Sequence, residues 1–294
     1  MRVHHLNCGT MCPPFGRLIR GEGSLFSRGL MVCHCLLVET DAGLVLVDTG
    51  IGLGDMAEPR ERLGAGFTAL VAPRLDPKES AVHQVEALGF SSRDVRHIVL
   101  THLDLDHAGG LSDFPDADVH VYRPEHDAAM TRASLRERER YRPAQWAHGP
   151  RWHVYDTGGE PWFGFDAVRQ LDGLPPEILI VPVTGHSRGH AAIAVRASSP
   201  RPDDRPATDT IPWSRRGGGW LLHAGDAYFY RGEMDPNRRT CPAGLEAFQR
   251  AVALDNEARL ANQERLRVLA RDNAGEVRVF SAHDDVELER CRDA

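Results

Sequence analysis

Four side chains of the kind that bind metal ions fall within six consecutive positions of the sequence. Residues 101–110 read THLDLDHAGG, and the four side chains are those of His102, Asp104, Asp106 and His107. Neutral imidazole nitrogen and carboxylate oxygen are suitable ligands for divalent transition metals. A tight loop of this sequence can direct alternate side chains towards two neighbouring ions. Taken alone, the same residues are also compatible with an ordinary solvated turn.

Further ligand-type residues occur at the ends of other apolar segments, which the sequence predicts to be strands. Asp48, His102, Asp226 and His283 each come at the end of such a segment, and His186 follows another after a glycine. Five separate strands therefore deliver a ligand-type side chain to one end of a sheet. This repetition favours a metal centre over a solvated turn.

The elements that must position these residues alternate between strands and helices. Strands are predicted at residues 32–38, 44–47, 98–100, 119–122, 178–183, 191–195, 220–224 and 277–280, and helices at 79–88, 124–142 and 245–270. We expect residues 198–219, which include three consecutive glycines, to form a long loop. The alternation predicts a layered α/β fold, and we expect residues 1–294 to form a single domain.

The composition argues against several classes of function. Hydrophobic residues make up 41% and charged residues 26% of the 294 residues, as in globular proteins. The formal net charge of −7 provides no general attraction to nucleic acid or to an anionic membrane. No apolar run approaches the roughly 20 residues that span a bilayer, and the N-terminus lacks the apolar core of a secretory signal. We therefore expect a cytoplasmic protein that acts on a small molecule, and its oligomeric state stays open.

The six cysteines form no C-x-x-C pair, so a zinc knuckle is not expected. Cys33, His34 and Cys35 are consecutive, which also suggests a metal site. They lie in the apolar run LMVCHCLLV, where alternation places both cysteines on one face of a strand and His34 on the other. We therefore expect buried strand packing there, with free thiols that suit a reducing cytoplasm.

Residues 30–284 resemble the metallo-β-lactamase superfamily, whose five motifs occur here in order. They are LVDTG at 46–50, HLDLDH at 102–107, TGHSRGH at 184–190, AGD at 224–226 and SAHD at 281–284. The resemblance implies a four-layer αββα sandwich, in which two sheets pack face to face and helices cover both outer faces. It also implies that the metal ions lie at one edge of the sandwich.

The resemblance further implies a ligand set for two divalent ions per chain, with zinc expected and manganese or iron as alternatives. Asp226 would bridge the ions, and Asp48 would orient a ligand from behind. A hydroxide that bridges the metals would be the nucleophile of a hydrolysis reaction. The implied ligands are His102, Asp104 and His186 for one ion and Asp106, His107 and His283 for the other, and Asp106 is also assigned a catalytic role.

Asp104 departs from the usual family motif, His-x-His-x-Asp-His, because it stands where the second histidine is common. Two divalent ions bring four positive charges, which Asp104, Asp106, Asp226 and a hydroxide would balance. A histidine at position 104 would leave one positive charge, so the aspartate should lower the pKa of a bound water less strongly. The added oxygen ligand makes manganese or iron more compatible with the site. Alternatively, Asp104 faces solvent and the first site is weak.

Two stretches are similar to those of N-acyl-homoserine-lactone lactonases, a group within the superfamily. They are the SAHD ending at 281–284 and the Gly-Asp-Ala-aromatic sequence at 225–228. In those lactonases a tyrosine lies three residues after the bridging aspartate, whereas this chain has Phe229 there, with Tyr228 and Tyr230 on either side. We expect one of these two hydroxyls to donate a hydrogen bond to a developing oxyanion, unless both tyrosines only pack.

The reaction indicated by these residues is metal-dependent hydrolysis of a lactone or another ester. No G-x-S-x-G motif is present, so a serine nucleophile is not expected. Thioester and phosphoester hydrolysis are alternatives on the same fold, and a non-enzymatic metal-binding module is a further one. Specificity would lie in the segments 9–29, 52–77 and 198–219.

Overall fold

The computed structural model describes residues 1–156, 158–197 and 219–293, and its strands form two sheets. These segments are rich in valine, leucine and isoleucine, which pack well on a pleated surface. The first sheet consists of β1 (Arg2–Met11), β2 (Met31–Thr40), β3 (Gly43–Val47), β4 (Val95–Val99), β5 (Asp118–Tyr122) and β6 (Arg151–Tyr155). The second consists of β7 (Glu160–Trp162), β8 (Phe165–Gln170), β9 (Ile178–Pro182), β10 (Ala191–Ala197), β11 (Gly219–His223) and β12 (Val277–Phe280).

Strand direction brings several carboxyl ends to the same edge of each sheet. In the first sheet the spatial order is β1 to β6, and β3, β4, β5 and β6 are parallel neighbours. In the second sheet β10 is antiparallel to both β9 and β11, while β12 is parallel to β11. Strands β9, β11 and β12 therefore run in one direction. The residues that follow them in the sequence start from the same edge.

Helices pack on the outer face of each sheet. They are α1 (Gly16–Arg20), α2 (Leu53–Ala57), α3 (Pro59–Arg62), α4 (Ala65–Val71), α5 (Ala81–Ala87), α6 (Leu105–Ala108), α7 (Arg123–Thr131), α8 (Leu135–Arg140), α9 (Ala243–Val252), α10 (Asn256–Asp272) and α11 (Asp285–Arg292). Val85 of α5 and Ala128 of α7 pack on the first sheet. Leu266 and Leu269 of α10 pack on the second. This arrangement confirms the predicted four-layer αββα sandwich of the α/β class.

The inner faces of the two sheets form an apolar core. Val45 and Val47 of β3 belong to the same buried cluster as Ile180 of β9 and Ile193 of β10. Successive residues of a strand point to opposite faces, and Leu46 accordingly packs with the helices outside the first sheet. Because β3 is buried on both faces, its sequence is a continuous apolar run. The core fixes the strands whose ends carry the polar motifs.

The Cys-His-Cys segment lies within β2 and is buried, as predicted. Cys33 and Cys35 are each 1% exposed, and the His34 ring stacks on Phe280 from the opposite sheet at a centroid distance of 4.7 Å. The structure thus confirms that this segment packs in the core. Within the described residues, no helix has the length and apolar character needed to cross a membrane.

Several element boundaries differ from the predictions. The segment 124–142 is two helices, α7 and α8, because Arg132 adopts a φ of 45° and Ser134 starts a new helix with a capping box to Glu137. The segment 245–270 is also two helices, since Asp255 accepts a hydrogen bond from the Ala258 amide and starts α10. The N-terminal strand β1 was not predicted. Of the expected loop 198–219, all but the last residue lies outside the described residues.

Candidate metal centre

The ends of strands from both sheets meet at one edge of the sandwich. Asp48 follows β3, His102 comes two residues beyond Leu100 after β4, and Asp226 and His283 follow β11 and β12. Backbone hydrogen bonds join these ends: the Ala282 amide donates to the Gly225 carbonyl at 3.1 Å, and the Ala191 amide to the Thr101 carbonyl at 2.9 Å. The folded core therefore brings together segments that are far apart in the sequence.

Asp226 lies between two groups of ligand-type side chains. Its Oδ2 atom lies 3.3 Å from Nε2 of His186 and 3.7 Å from Nε2 of His102. Its Oδ1 atom lies 3.0 Å from Nε2 of His283 and 3.2 Å from Nε2 of His107. The two carboxylate oxygens thus face different histidine pairs, which is the position that a bridging ligand requires.

Each of the two groups also contains a second carboxylate. Asp104 Oδ2 lies 3.0 Å from Nε2 of His186, and Asp106 Oδ2 lies 3.6 Å from Nε2 of His283. Within each group, one candidate ligand atom per residue lies no more than 4.8 Å from those of the others. The structure therefore brings together the seven predicted side chains, as a four-residue group (His102, Asp104, His186 and Asp226) and a three-residue group (Asp106, His107 and His283).

The hydrogen bonding of the histidines fits metal ligation. His107 Nδ1 lies 2.8 Å from Asp48 Oδ2, His283 Nδ1 lies 2.7 Å from the Val32 carbonyl, and His102 Nδ1 lies 3.0 Å from Thr101 Oγ1. Buried polar atoms nearly always have partners, yet among the described residues Nε2 of His102 and of His107 has no hydrogen-bond partner, and neither has Oδ1 of Asp226. The Nδ1 atoms, which point away from the centre, have partners, and these three atoms, which point into the centre, have none in the described part of the chain. A metal ion bound in the centre would supply the missing partner.

The electrostatics of the site also favour a bound cation. Burial lowers the pKa of His107, but the carboxylates of Asp226 and Asp48 raise it well above its ordinary value. Burial lowers the pKa of His283 as well, and Asp226 raises it above the ordinary value. The carboxylates thus hold positive charge at the inner face of the three-residue group. A divalent cation would satisfy the same negative potential.

Asp48 organises the site from behind the ligands. Its Oδ1 atom accepts the Thr101 amide at 2.8 Å, and its Oδ2 atom accepts the Thr101 hydroxyl at 2.8 Å and the His107 ring nitrogen. The residue has a φ of 55°, a left-handed conformation that aspartate tolerates better than most side chains. This contact agrees with the orienting role expected for Asp48.

Two further buried residues support the site: Glu125 was not predicted, whereas His190 was expected beneath the site as an indirect support of His186. Glu125 accepts the Leu103 amide through Oε1 and the Ser187 hydroxyl through Oε2, at 3.0 and 2.6 Å, so it joins the loops that carry the second and third motifs. His190 accepts the Asp226 amide at 2.9 Å and therefore holds the proposed bridging residue. Gly225 has a φ of 53°, and a Cβ atom there would collide with the His190 ring. Ser187 and His190 belong to the third motif itself, whereas no motif includes Glu125.

Arg140, at the end of α8, was also not predicted and contacts two members of the four-residue group, Asp104 and His186. Its Nε donates to Asp104 Oδ1 at 2.5 Å and its Nη2 to Asp104 Oδ2 at 2.8 Å. Burial would raise the pKa of Asp104, but the guanidinium lowers it well below its ordinary value. Burial and the same guanidinium lower the pKa of His186 to about 4. Asp104 therefore faces the site interior, whereas one alternative had it facing solvent.

The two tyrosines after Asp226 occupy different surroundings. Tyr228 is fully buried, and its hydroxyl donates to both carboxylate oxygens of Glu287 at 3.0 and 3.1 Å. This geometry argues against the oxyanion role expected for Tyr228. Tyr230 is half-buried and lines a small cavity together with His283. Phe229 lies against the centre instead, with its ring centroid 4.7 Å from that of His283 and 5.9 Å from that of His186.

A cavity of about 480 Å³ opens directly onto the centre. This volume falls within the range of small-molecule binding pockets. Its floor includes Asp104, Asp106, Asp226 and one histidine of each pair, His186 and His283. Its walls are largely apolar and include Met11, Met31, Leu63, Phe67, Leu70, Val71, Phe229 and Phe248. Several of these side chains come from α4, within the segment 52–77 that was expected to contribute to specificity.

Comparison with protein families gives one relevant match. The family model described as "Metallo-beta-lactamase superfamily" matches residues 28–196, which include the segments at 46–50, 102–107 and 184–190. A probable metallo-hydrolase of Mycobacterium tuberculosis is 41% identical over 293 residues, which is 100% of this chain and 83% of that protein. The match thus covers both halves of the sandwich.

More distant relatives include proteins named as lactonases. The N-acyl homoserine lactonase AttM of Agrobacterium fabrum is 29% identical over 202 residues, covering 69% of this chain and 73% of that protein. A solved structure of an N-acyl homoserine lactone hydrolase, with the product N-hexanoyl-L-homoserine bound at the catalytic metal centre, covers 99% of this chain and 96% of its own. It superposes with a TM-score of 0.67 at 20% identity, which shows a common fold.

Proposed function

This chain belongs to the metallo-β-lactamase superfamily, and we propose that it is a metal-dependent hydrolase that opens a lactone or cleaves another ester with an apolar substituent. The observation that carries the proposal is the position of Asp226 at the base of the cavity. Its two oxygens face separate histidine pairs, while apolar side chains line the wall above. A polar, cation-binding floor under an apolar wall suits a substrate with one reactive carbonyl and a hydrophobic body.

Different residues of the chain would have different roles in such a hydrolysis reaction. Divalent ions, when bound, would activate a water molecule as nucleophile and polarise the carbonyl oxygen of the substrate. Asp226 and the histidines would hold these ions, and Asp48 would keep the His107 ring in its ligating orientation. Asp106 lines the cavity, so its carboxylate can also take up a proton from the attacking water and return it to the leaving alcohol. This keeps the catalytic role assigned to Asp106.

The apolar wall extends away from the centre and supports a substrate with a hydrophobic chain. A second cavity of about 330 Å³ shares Met31, Leu70, Val71 and Phe248 with the first. Its other lining residues include Phe15 and Leu18, of which Phe15 is 57% exposed. Burying a methylene group is worth about 0.8 kcal/mol, so a chain lying in both cavities would gain affinity with each added carbon. We infer that acyl length tunes binding.

The arginines near the cavity favour an ester over a phosphoester. A phosphoryl group carries negative charge and is usually held by several cationic donors. Arg136 already donates to the carbonyls of Ala251 and Ala253. Arg140 is engaged by Asp104, and Glu139 adds a negative charge to the same wall. Arg142, the third arginine that lines the cavity, has a buried Nε without a partner among the described residues, so these side chains offer a phosphate one free cationic donor rather than several.

The test is a substrate screen with protein loaded separately with zinc, manganese and iron. It should include lactones and esters in acyl-length series, together with thioesters, phosphoesters and β-lactams. We expect the highest kcat/KM for lactones or esters, rising with acyl length until the cavities are filled. Protein treated with a chelator and the Asp226→Ala variant serve as controls for contaminating esterases. Metal-loaded protein that binds the ions but hydrolyses none of these classes would contradict the proposal and indicate a binding module.

A further inference from the structure

Arg140 has the bonding pattern of a permanent part of the centre. A guanidinium group has five N–H donors, and all five have acceptors here. Two go to the carboxylate of Asp104, through Nε and Nη2. Nη1 donates to the carbonyl oxygens of His186 and Val252 at 3.1 and 3.0 Å. The fifth donor, on Nη2, points to Nε2 of His186 at 2.7 Å. These hydrogen bonds fix the position of the Arg140 side chain in the fold.

The contact with His186 matters because of the atom involved. In a neutral imidazole one ring nitrogen is protonated and the other has the lone pair that accepts a hydrogen bond or binds a metal. Arginine can only donate, so in this contact Nε2 must accept and the ring proton is assigned to Nδ1, although Asp104 Oδ2 also lies 3.0 Å from Nε2; the lone pair of Nε2 is then already used. The same atom is the one that faces Asp226 Oδ2 at 3.3 Å. Arg140 and a metal ion therefore compete for the inner nitrogen of His186.

The three-residue group contains no comparable cation among the described side chains. His107 and His283 make their contacts through Nδ1, with Asp48 and the Val32 carbonyl, which leaves both Nε2 atoms towards Asp226 and Asp106. The two halves of the centre are thus unequal. In one half the ligand atoms are directed at an open position, whereas in the other half a guanidinium already contacts Asp104 and His186 and leaves only Nε2 of His102 without a partner among the described residues.

The charges balance with one divalent ion. Asp104, Asp106 and Asp226 supply three negative charges at the centre, and Arg140 supplies one positive charge. A single divalent ion brings the sum to zero. Two ions beside Arg140 would leave two positive charges before any hydroxide binds. A histidine can become neutral next to a metal ion, but the guanidinium of Arg140 cannot lose its proton.

We propose that Arg140 takes the place of one cation, so that the chain binds a single divalent ion tightly, between Asp106, His107, His283 and Asp226. Asp104 is then the anchor of the guanidinium. Two parallel hydrogen bonds from arginine match the two oxygens of a carboxylate, a geometry that histidine at position 104 could not provide. This would explain why an aspartate stands where the family commonly has histidine. The inference rests on the proposed function in that it assumes a metal centre at Asp226.

The first experiment measures metal content. Purified protein is incubated with excess zinc or manganese, desalted, and analysed for metal per chain. We expect one equivalent for the parent and two for Arg140→Gln, because the variant frees Nε2 of His186 and removes the competing charge. Arg136→Gln is the matched control, one helical turn earlier on α8, with its donors on the carbonyls of Ala251 and Ala253. This control should keep one equivalent.

The second experiment does not depend on a variant that folds. Electron paramagnetic resonance of the parent protein with excess Mn²⁺ should show an isolated ion and no spin-coupled pair. Two tight equivalents or a coupled pair in the parent would overturn the role of Arg140 and leave the proposed hydrolase intact. So would a folded Arg140→Gln variant that still binds one equivalent. Absence of any bound metal in the parent would instead remove the metal-dependent function itself.

Discussion

The polar side chains of the centre form a front region, which is directed at Asp226 at the base of the cavity, and a back region, which lies behind it. In the front region His102 Nε2, His107 Nε2 and Asp226 Oδ1 are buried and have no hydrogen-bond partner within the part of the chain that the structure describes. In the back region Asp48 accepts three hydrogen bonds from protein groups. Glu125 and His190 are also fully engaged with backbone or hydroxyl donors. The front residues therefore have atoms free to bind a ligand, and the back residues hold the front residues in position.

This difference teaches what each region contributes to stability. An unpartnered buried polar atom costs about 1–3 kcal/mol, so the front region is a weakness of the fold until a cation binds. The back region compensates, because its hydrogen bonds hold the loops at the ends of the strands in place. We expect front substitutions to act on metal binding, and back substitutions to act first on geometry or stability.

The largest effect is expected from Asp226→Ala, which removes the front carboxylate that faces both histidine pairs. The variant should lose bound metal, and hydrolysis should fall to the level of the chelator-treated protein. Elemental analysis and kcat/KM measured on one preparation test this expectation. Asp235→Ala, at an exposed turn nine residues later, is the control and should match the parent. Full metal content in Asp226→Ala would show that the front region is not centred on this residue.

A smaller effect is expected from Asp48→Asn, a substitution in the back region. The amide cannot hold the His107 ring as the carboxylate does, although the backbone conformation suits asparagine. Loss of such an orienting partner typically lowers metal affinity by about 10–100-fold. Competition with a chromophoric chelator gives the affinity, and Asp118→Asn, paired with Arg151 on an exposed face, is the control. Unchanged affinity would mean that the back region acts only on stability.

The sequence predicts the front region better than the back. The front residues are ligand-type side chains that follow apolar strands. Their residue types and their positions after the strands allow Asp226 and its neighbours to be predicted from the sequence. Asp48 was recognised for the same reason, since it follows β3 directly. The layered α/β class followed from the order of elements, and the αββα sandwich followed from the resemblance to the superfamily.

The back region depends on contacts that spacing does not reveal. Glu125 belongs to α7, and Arg140 falls within the single long helix that was predicted at 124–142. The break at Arg132 redirects the chain, and α8 then carries Arg140 into the centre. Neither a helical period nor a motif encodes that change of direction. The surroundings of Tyr228 could not be predicted for a related reason, because its nearness to Asp226 in the sequence does not indicate the side on which it packs.

A third prediction concerns Glu287, a back residue that faces Tyr228 and the Ser281 amide. Burial, with the nearby charge of Asp284, raises the pKa of Glu287 to about 8. A carboxyl with a raised pKa stabilises the fold fully below its unfolded pKa, and this stability is lost as the pH rises through about 8. The free energy of unfolding should therefore fall more steeply in the parent than in Glu287→Gln between about pH 5 and pH 9.

Urea unfolding at several pH values gives the free energy of unfolding of the parent and of Glu287→Gln. The contributions of the other titrating groups largely cancel in the difference between the two proteins. Glu289→Gln, exposed on the same helix and paired with Arg292, should keep the slope of the parent. Parallel pH profiles for the parent and Glu287→Gln would show that Glu287 is charged in the folded protein across this range.

The smallest effect on the centre is expected from Tyr228→Phe. The Tyr228 hydroxyl contacts Glu287 and lies in the core outside the second sheet, so its removal should cost about 1 kcal/mol of stability. Metal content and kcat should not change. Tyr230→Phe is the companion variant, since that ring lines the small cavity beside His283, and a phenol that reaches the oxyanion would cost about 10²–10³ in kcat. Thermal unfolding and kcat on the best ester from the screen separate the two roles. A fall in kcat for Tyr228→Phe, with unchanged unfolding temperature and full metal content, would place this hydroxyl in the front region after all.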